Sequence, residues 1–172
     1  MFGSADPDWL ADISRAGGRR ALLREQSLWA IWIYRFGRRV DRRRDTAWKK
    51  CLLFYYWCLF RLVETATGIS LPKSSTIGKG LRIWHFGGIF IHKSAVIGEN
   101  CTLRQGVTIG NRIDDDDAPI LGNDVQIGAY AQLLGKIRVG DGCKIGALTV
   151  VLHDLPDGAT VVGQPARLLP RA

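Results

Sequence analysis

From Leu121 onward the chain repeats every six residues. Read in sixes it runs "LGNDVQ", "IGAYAQ", "LLGKIR", "VGDGCK", "IGALTV" and "VLHDLP", with aliphatic residues at Leu121, Ile127, Leu133, Val139, Ile145 and Val151. A second track, four places further on, holds Val125, Ala131, Ile137, Cys143, Thr149 and Leu155. Extended backwards, the register keeps Ile91, Ile97, Leu103 and Ile109 on the first track and Ala95, Cys101 and Val107 on the second. Neither a helical period of 3.6 nor simple alternation yields two tracks locked at six. One short strand and one turn per hexad, with triangular coils stacked about 4.8 Å apart, do yield it. Residues 70–172 are therefore expected to form a parallel β-helix of hexapeptide repeats. A β-sandwich with evenly spaced strands is the alternative, but its loops vary in length and would break the register.

The first 69 residues carry a different period and are expected to be α-helical. In "SLWAIWIYRFGRRV" the residues Trp29, Trp32, Ile33, Phe36 and Val40 fall at helical spacing, with Arg35, Arg38, Arg39 and Arg42 on the other side. That predicts a basic amphipathic helix, weakened at its centre by Gly37. A second helix is expected over residues 46–67, stopped at Gly68, with Pro72 barring any continuation. Its apolar run "CLLFYYWCLF" is bounded by Lys49, Lys50 and Arg61. It is too short to cross a hydrocarbon layer of about 30 Å. Two uses of residues 28–62 stay open: packing on the end of the β-helix, the cap that a solenoid needs, or peripheral contact with an anionic membrane surface.

Charge follows the same division. Of the formal net +8, most lies before residue 71, where 13 Lys and Arg face 7 Asp and Glu, against 11 and 9 in the remainder. With 47% hydrophobic and 23% charged residues the composition is that of a folded chain. Cys51, Cys58, Cys101 and Cys143 make no CxxC pair, and "MFGSADPDWL" has no apolar signal segment. The expected location is cytoplasmic, at the inner membrane face if the contact is peripheral. Nucleic acid is not an expected partner, because the basic residues lie along one aromatic helix rather than in a groove.

The stretch "LRIWHFGGIFIH" is anomalous. Ile77, Ile83 and Ile89 continue the second track, whereas the first-track places before Ile91 fall on His85, Lys79 and Lys73. The opening coil is therefore expected to be apolar on one track only. His85 stands between Trp84 and Phe86 and precedes Gly87 and Gly88, which let a ligand approach the backbone. The opposing reading is a histidine buried and satisfied in the core.

With these residues in place, the stretch from about Ser70 onward resembles the hexapeptide-repeat acyltransferases, and within them the serine acetyltransferase group. The likeness rests on "IGKGLRIWHFGGIFIHKSAVIGENCTLRQGVTIG", "IGAYAQLLGKIRVGDGCKIGALTVVL" and the closing "VVGQPARLL". It implies a left-handed β-helix, a homotrimer, and acetyl-CoA as co-substrate in the groove between subunits, with no metal. It implies that His85 is the catalytic base, taking the proton of an acceptor hydroxyl that attacks the thioester. Imidazole suits this, since it titrates near neutrality. Gly110, Ala129, Lys144 and Ala147 match places where the pantetheine arm and nucleotide lie close to the coil, Lys144 toward a phosphate. Tight β-helix turns also want small residues for their own sake.

Three departures from that group bear on the acceptor. Its Asp immediately before the histidine is Trp84 here, its Asp that pairs with the histidine falls on Ser70, and its Arg-His loop pair gives way to "NRIDDDDAPIL". Trp84 offers an apolar stacking face of the kind a sugar ring prefers. The expected acceptor is thus a sugar hydroxyl of a surface polysaccharide or its precursor. Serine is the alternative acceptor, and a non-catalytic scaffold docked at a membrane is a third reading. The group that orients His85 is left unassigned. Residues 114–117, all Asp, read as a solvated corner loop or as a flap over the acceptor. His92 is expected to point outward and His153 to lie in the terminal turn. A zinc enzyme would need three converging histidines, and His153 is several coils away from the other two.

Overall fold

The computed structural model describes residues 6–164 and 167–168. Helix α1 (Pro7–Arg15) starts at Asp6, whose carboxylate accepts from the Asp8 amide, and places Pro7 in its first turn. After a 3₁₀ turn at Arg19–Leu23 come α2 (Ser27–Asp41) and α3 (Ala47–Thr67). Thr46 caps α3 by accepting from the Lys49 amide at 3.2 Å, and Gly68 ends it in the left-handed conformation, as its sequence predicts. Helix α1 has no counterpart in the sequence expectations.

The strands then wind into three parallel faces. The first stacks Ile69–Ser70, Ile89–Ile91, Thr108–Gly110, Gln132–Leu134 and Val150–Val151. The second stacks Thr76–Ile77, Val96–Ile97, Ile120–Leu121 and Arg138–Val139; the third stacks Arg82–Trp84, Thr102–Arg104, Gln126–Ile127, Lys144–Ile145 and Thr160–Val162. Arg167–Leu168 closes the third face antiparallel. Both hexad tracks point inward, and Ile97, Cys101, Leu103, Val107, Ile109, Val125, Ala131 and Leu133 are all sealed from solvent. This is the parallel β-helix that the six-residue period predicts.

The opening coil corrects the expectation for His85. Ile77 pairs with Ile97 and Ile83 with Leu103, so both lie on the first track, while Ile91 pairs with Ile109. First-track spacing therefore lengthens from six residues to eight between Ile83 and Ile91, and the extra pair loops out at the corner formed by residues 84–88. Leu81 and Ile89 fill the second track, so the coil is apolar on both. His85 and Lys79 are exposed and Lys73 half-buried, all outside the core. The reason is twofold: an imidazole or ammonium in a dry core would cost several kcal/mol, and a slip of two residues preserves the inside–outside alternation that a slip of one would invert.

The helices close the open end of this stack, and here too a basic residue is placed differently from the sequence expectation. Arg35, expected on the solvent side of α2, is 3% exposed and paired bidentately with Asp12, which is fully buried (Nε to Oδ2 2.8 Å, Nη2 to Oδ1 3.1 Å). Its remaining donors reach the edge carbonyls of Ile77 (2.8 Å) and Gly78 (2.6 Å), and Asp12 accepts from the Leu81 amide at 2.8 Å. Burial pushes the Asp12 carboxyl above its ordinary value, and the Arg35 guanidinium pulls against that shift. Tyr34 adds a second clamp, accepting from the Ile77 amide and donating to the Ser75 carbonyl. Trp29, expected on the apolar side, is instead 42% exposed and donates to the Leu22 carbonyl. Gly37 has a packing reason: a Cβ there would lie 2.5 Å from the Tyr56 ring of α3, so the bare backbone lets the two helices cross closely. Burial pushes the Tyr56 phenol up to about 12.

Arg35→Met leaves Asp12 buried and uncompensated, so urea unfolding is expected to show a loss of about 3–5 kcal/mol. Adding Asp12→Leu should recover part of that loss, the orphaned carbonyls of Ile77 and Gly78 and the orphaned Leu81 amide accounting for the rest.

Candidate active site

His85 sits in the corner between the third and first faces with φ +66°, a left-handed conformation uncommon outside glycine. It is exposed, and no hydrogen bond reaches its ring among the described residues. Along this edge Gly88, Gly106, Tyr130 and Leu148 also have positive φ, and successive coils are tied by amide-to-carbonyl bonds from Gly106 to Gly87, Tyr130 to Gln105 and Leu148 to Ala129. The longer turn at residues 84–88 carries the imidazole clear of that ladder.

Two cavities flank the turn. The smaller, about 330 Å³, lies between the corner and the segment before α2, and is lined by Arg24, Glu25, Ser27, Arg82, Trp84, His85 and Phe86 among others. Its wall is a layered device. Glu25 grips Arg82 with both carboxylate oxygens, the Arg82 guanidinium lies 4.3 Å from the Trp84 ring centre, and Ser27 holds the Ile83 carbonyl at 3.1 Å. A desolvated guanidinium under an indole fixes the ring through cation–π attraction. Trp84 thus presents a positioned, 45% exposed face beside His85. The Arg82 Nε is buried with no partner among the described residues.

The larger cavity, about 410 Å³, is a groove along the outer surface of the third face, bounded by Trp84 and floored by Thr102, Gln126, Lys144 and Thr160. Arg104 stands next to Trp84 in the strand register and faces the same groove as Lys144. Neither cation is ion-paired among the described residues, so both are available to phosphate oxygens. The hexad pattern marks Arg104 as an outward neighbour of Leu103, a signal that was present but unread. Glu25 and Arg24 had no such signal, because nothing in the repeat places the helical segment against the third face.

The other expected residues fall elsewhere. Ala129 and Ala147 occupy the same corner as His85 on later coils, where stacking is tight: a Cβ at Gly128 would meet the Ala147 amide at 2.4 Å. Gly110 ends a first-face strand and lines neither cavity. It leads into the acidic loop, which leaves the corner between the first and second faces, a different corner from that of His85. Ser70 pairs with Phe90 on the first face. His92 is half-buried and accepts from the Ser94 amide at 3.2 Å, and His153 is exposed. Burial pushes the Cys101 thiol up to about 11, which leaves it a core side chain rather than a nucleophile. No group of three His, Cys, Asp or Glu able to hold a metal occurs among the described residues. Within "VVGQPARLL", Pro165, Ala166 and Leu169 lie outside the described residues.

A repeat solenoid with an exposed histidine at a corner beside a cationic groove is the architecture of a class of acyl-transfer enzymes. Residues 118–153 match the family described as bacterial transferase hexapeptide (six repeats). The serine acetyltransferase of Helicobacter pylori is 38% identical over 150 residues, covering 86% of this chain and 84% of that protein. The protein named "Putative colanic acid biosynthesis acetyltransferase WcaB" of Escherichia coli K12 is 40% identical over 127 residues, covering 70% and 78%. Among solved structures, soybean serine acetyltransferase gives a TM-score of 0.82 at 31% identity, over 96% of this chain and 71% of that one. A serine acetyltransferase in complex with CoA gives 0.79 at 30%, over 94% and 68%. The chain belongs to the hexapeptide-repeat acyltransferases, in their serine acetyltransferase-like group, and its β-helix matches their left-handed form.

The strained turn makes a stability comparison informative. His85→Gly is expected to exceed His85→Ala by about 1 kcal/mol in denaturant unfolding, because only glycine adopts positive φ without steric cost. Equal stability of the two would mean that the turn relaxes.

Proposed function

We propose that the protein transfers an acetyl group from acetyl-CoA to a hydroxyl, with His85 as general base. The observation that carries this is the exposed, strained imidazole between a cavity sized for a small acceptor and a groove bearing Arg104 and Lys144. The hydroxyl proton passes to the imidazole as the oxygen attacks the thioester carbon. The tetrahedral intermediate then collapses with loss of the CoA sulfur, which takes the proton back from imidazolium. Lys144 and Arg104 hold CoA phosphates, while Ala129 and Ala147 let the pantetheine arm lie against the corner. Gly110 would meet CoA only across a subunit contact. Such a contact, in a trimer, is supported by the exposed apolar strip of Phe86, Phe90, Tyr130, Leu148 and Val162 on and beside this edge.

For the acceptor, the relatives favour free serine over the sugar expected from sequence: the serine acetyltransferase of H. pylori aligns with more of the chain than WcaB does. Of the charges that line the smaller cavity, Glu25 and Arg82 hold each other, and Arg24 is the exposed cation that an amino acid's carboxylate could meet. One observation keeps a sugar acceptor as the second reading. The face of Trp84, braced by Arg82, is an apolar platform beside the base.

Thiol release from acetyl-CoA, measured with L-serine and with hexoses and oligosaccharides, separates the two. The expected result is serine-dependent release that falls about a hundredfold to ten-thousandfold in His85→Ala. Release with a saccharide alone would transfer the reading to Trp84, and release with no acceptor in the panel would contradict both.

A further inference from the structure

The apolar surface of the helical region lies on α3 rather than on the basic face of α2. Leu52, Leu53, Leu59, Phe60 and Val63 pack toward α2. On the other side Trp48, Phe54, Trp57 and Leu62 are between 55% and 67% exposed, with Cys51 and Cys58 exposed among them. At about 1.5 Å per residue this face runs roughly 21 Å along one helix. Large exposed aromatic and aliphatic side chains along that length mark a contact site.

Its charge pattern selects the occupant. Arg42 at the end of α2, Arg43 and Arg44 in the connection to α3, and Lys50 in its first turn stand exposed, and none is ion-paired among the described residues. The nearby carboxylates Asp45 and Asp41 are already held by Lys49 and Lys73. Glu64, the sole acidic residue of α3, is paired with Arg61 at 2.9 Å. A second copy of α3 would therefore offer these cations almost no counter-charge. An anionic headgroup layer supplies it continuously, and Trp and Tyr prefer that depth. No helix among the described residues is long and apolar enough to cross a membrane, so the contact is lateral. We infer that α3 docks the protein on an anionic phospholipid surface, with Trp48, Phe54 and Trp57 inserted at headgroup level and Arg42, Arg43 and Arg44 on the phosphates. The docked face belongs to neither cavity and leaves the groove of the third face open.

The test uses the full chain and sedimentation with vesicles of phosphatidylcholine alone or mixed with phosphatidylglycerol. The protein is expected to pellet with the mixed vesicles and to stay in solution with phosphatidylcholine. The triple variants Trp48→Ser, Phe54→Ser, Trp57→Ser and Arg42→Gln, Arg43→Gln, Arg44→Gln should each partition about a hundredfold more weakly, the second because each arginine contributes about fivefold. Their melting temperature and their elution volume without lipid should match wild type. No pelleting of wild type with mixed vesicles, or variants that pellet as wild type does, would overturn the inference. An aromatic variant whose elution volume changes without lipid would overturn it too, by placing the face between copies of the chain.

Discussion

Asp12 and Arg35 solve the problem that any stack of β-coils has at its end. The last strands expose carbonyls and amides with no further coil to pair with, and such an edge frays or recruits another chain. Arg35 spends two donors on Asp12 and the others on the Ile77 and Gly78 carbonyls, while Asp12 takes the Leu81 amide. A buried ion pair is worth little when it only satisfies itself. This one is satisfied on both sides by backbone that would otherwise be orphaned, so the helices and the first coil hold together as one unit.

The first coil also carries the proposed base. Its third-face strand ends in Trp84, and the corner beyond it bears His85. Ser27 of the helical region holds the Ile83 carbonyl, two residues before the left-handed histidine. Glu25, carried by the segment between α1 and α2, reaches over the same strand to hold Arg82 beneath Trp84. Removal of the helical region would therefore loosen both the smaller cavity and the edge of the solenoid.

Much of this was legible in the sequence, for physical reasons that also explain the failures. A period of six with two inward tracks has one solution, and Gly68, Thr46 and Pro72 delimit α3 because caps and breakers act locally. Counting in sixes through residues 81–92 puts His85 on the core track, whereas the chain inserts two residues, keeps Ile83 and Ile91 inside and leaves His85 exposed at the corner. Period alone cannot distinguish a polar residue in the core from a register slip that expels it; the cost of burying imidazole decides. Arg35 was misplaced because helical periodicity reports which residues share a face, not what that face meets, and its partner Asp12 lies on a helix that the pattern did not reveal. Glu25 and Arg24 enter the cavity through a tertiary contact with no local signal.

The central claim is that the helical cap makes the first coil as firm as the interior of the stack. Native-state hydrogen exchange tests it directly, through the amides of Ile77, Leu81 and Arg82 against those of Thr102 and Gln126 in the middle coils. Both groups are expected to open only with global unfolding, while the amides of residues 85–87 exchange faster. First-coil amides that exchange well before the middle coils would show an end that frays despite Arg35, and would contradict it.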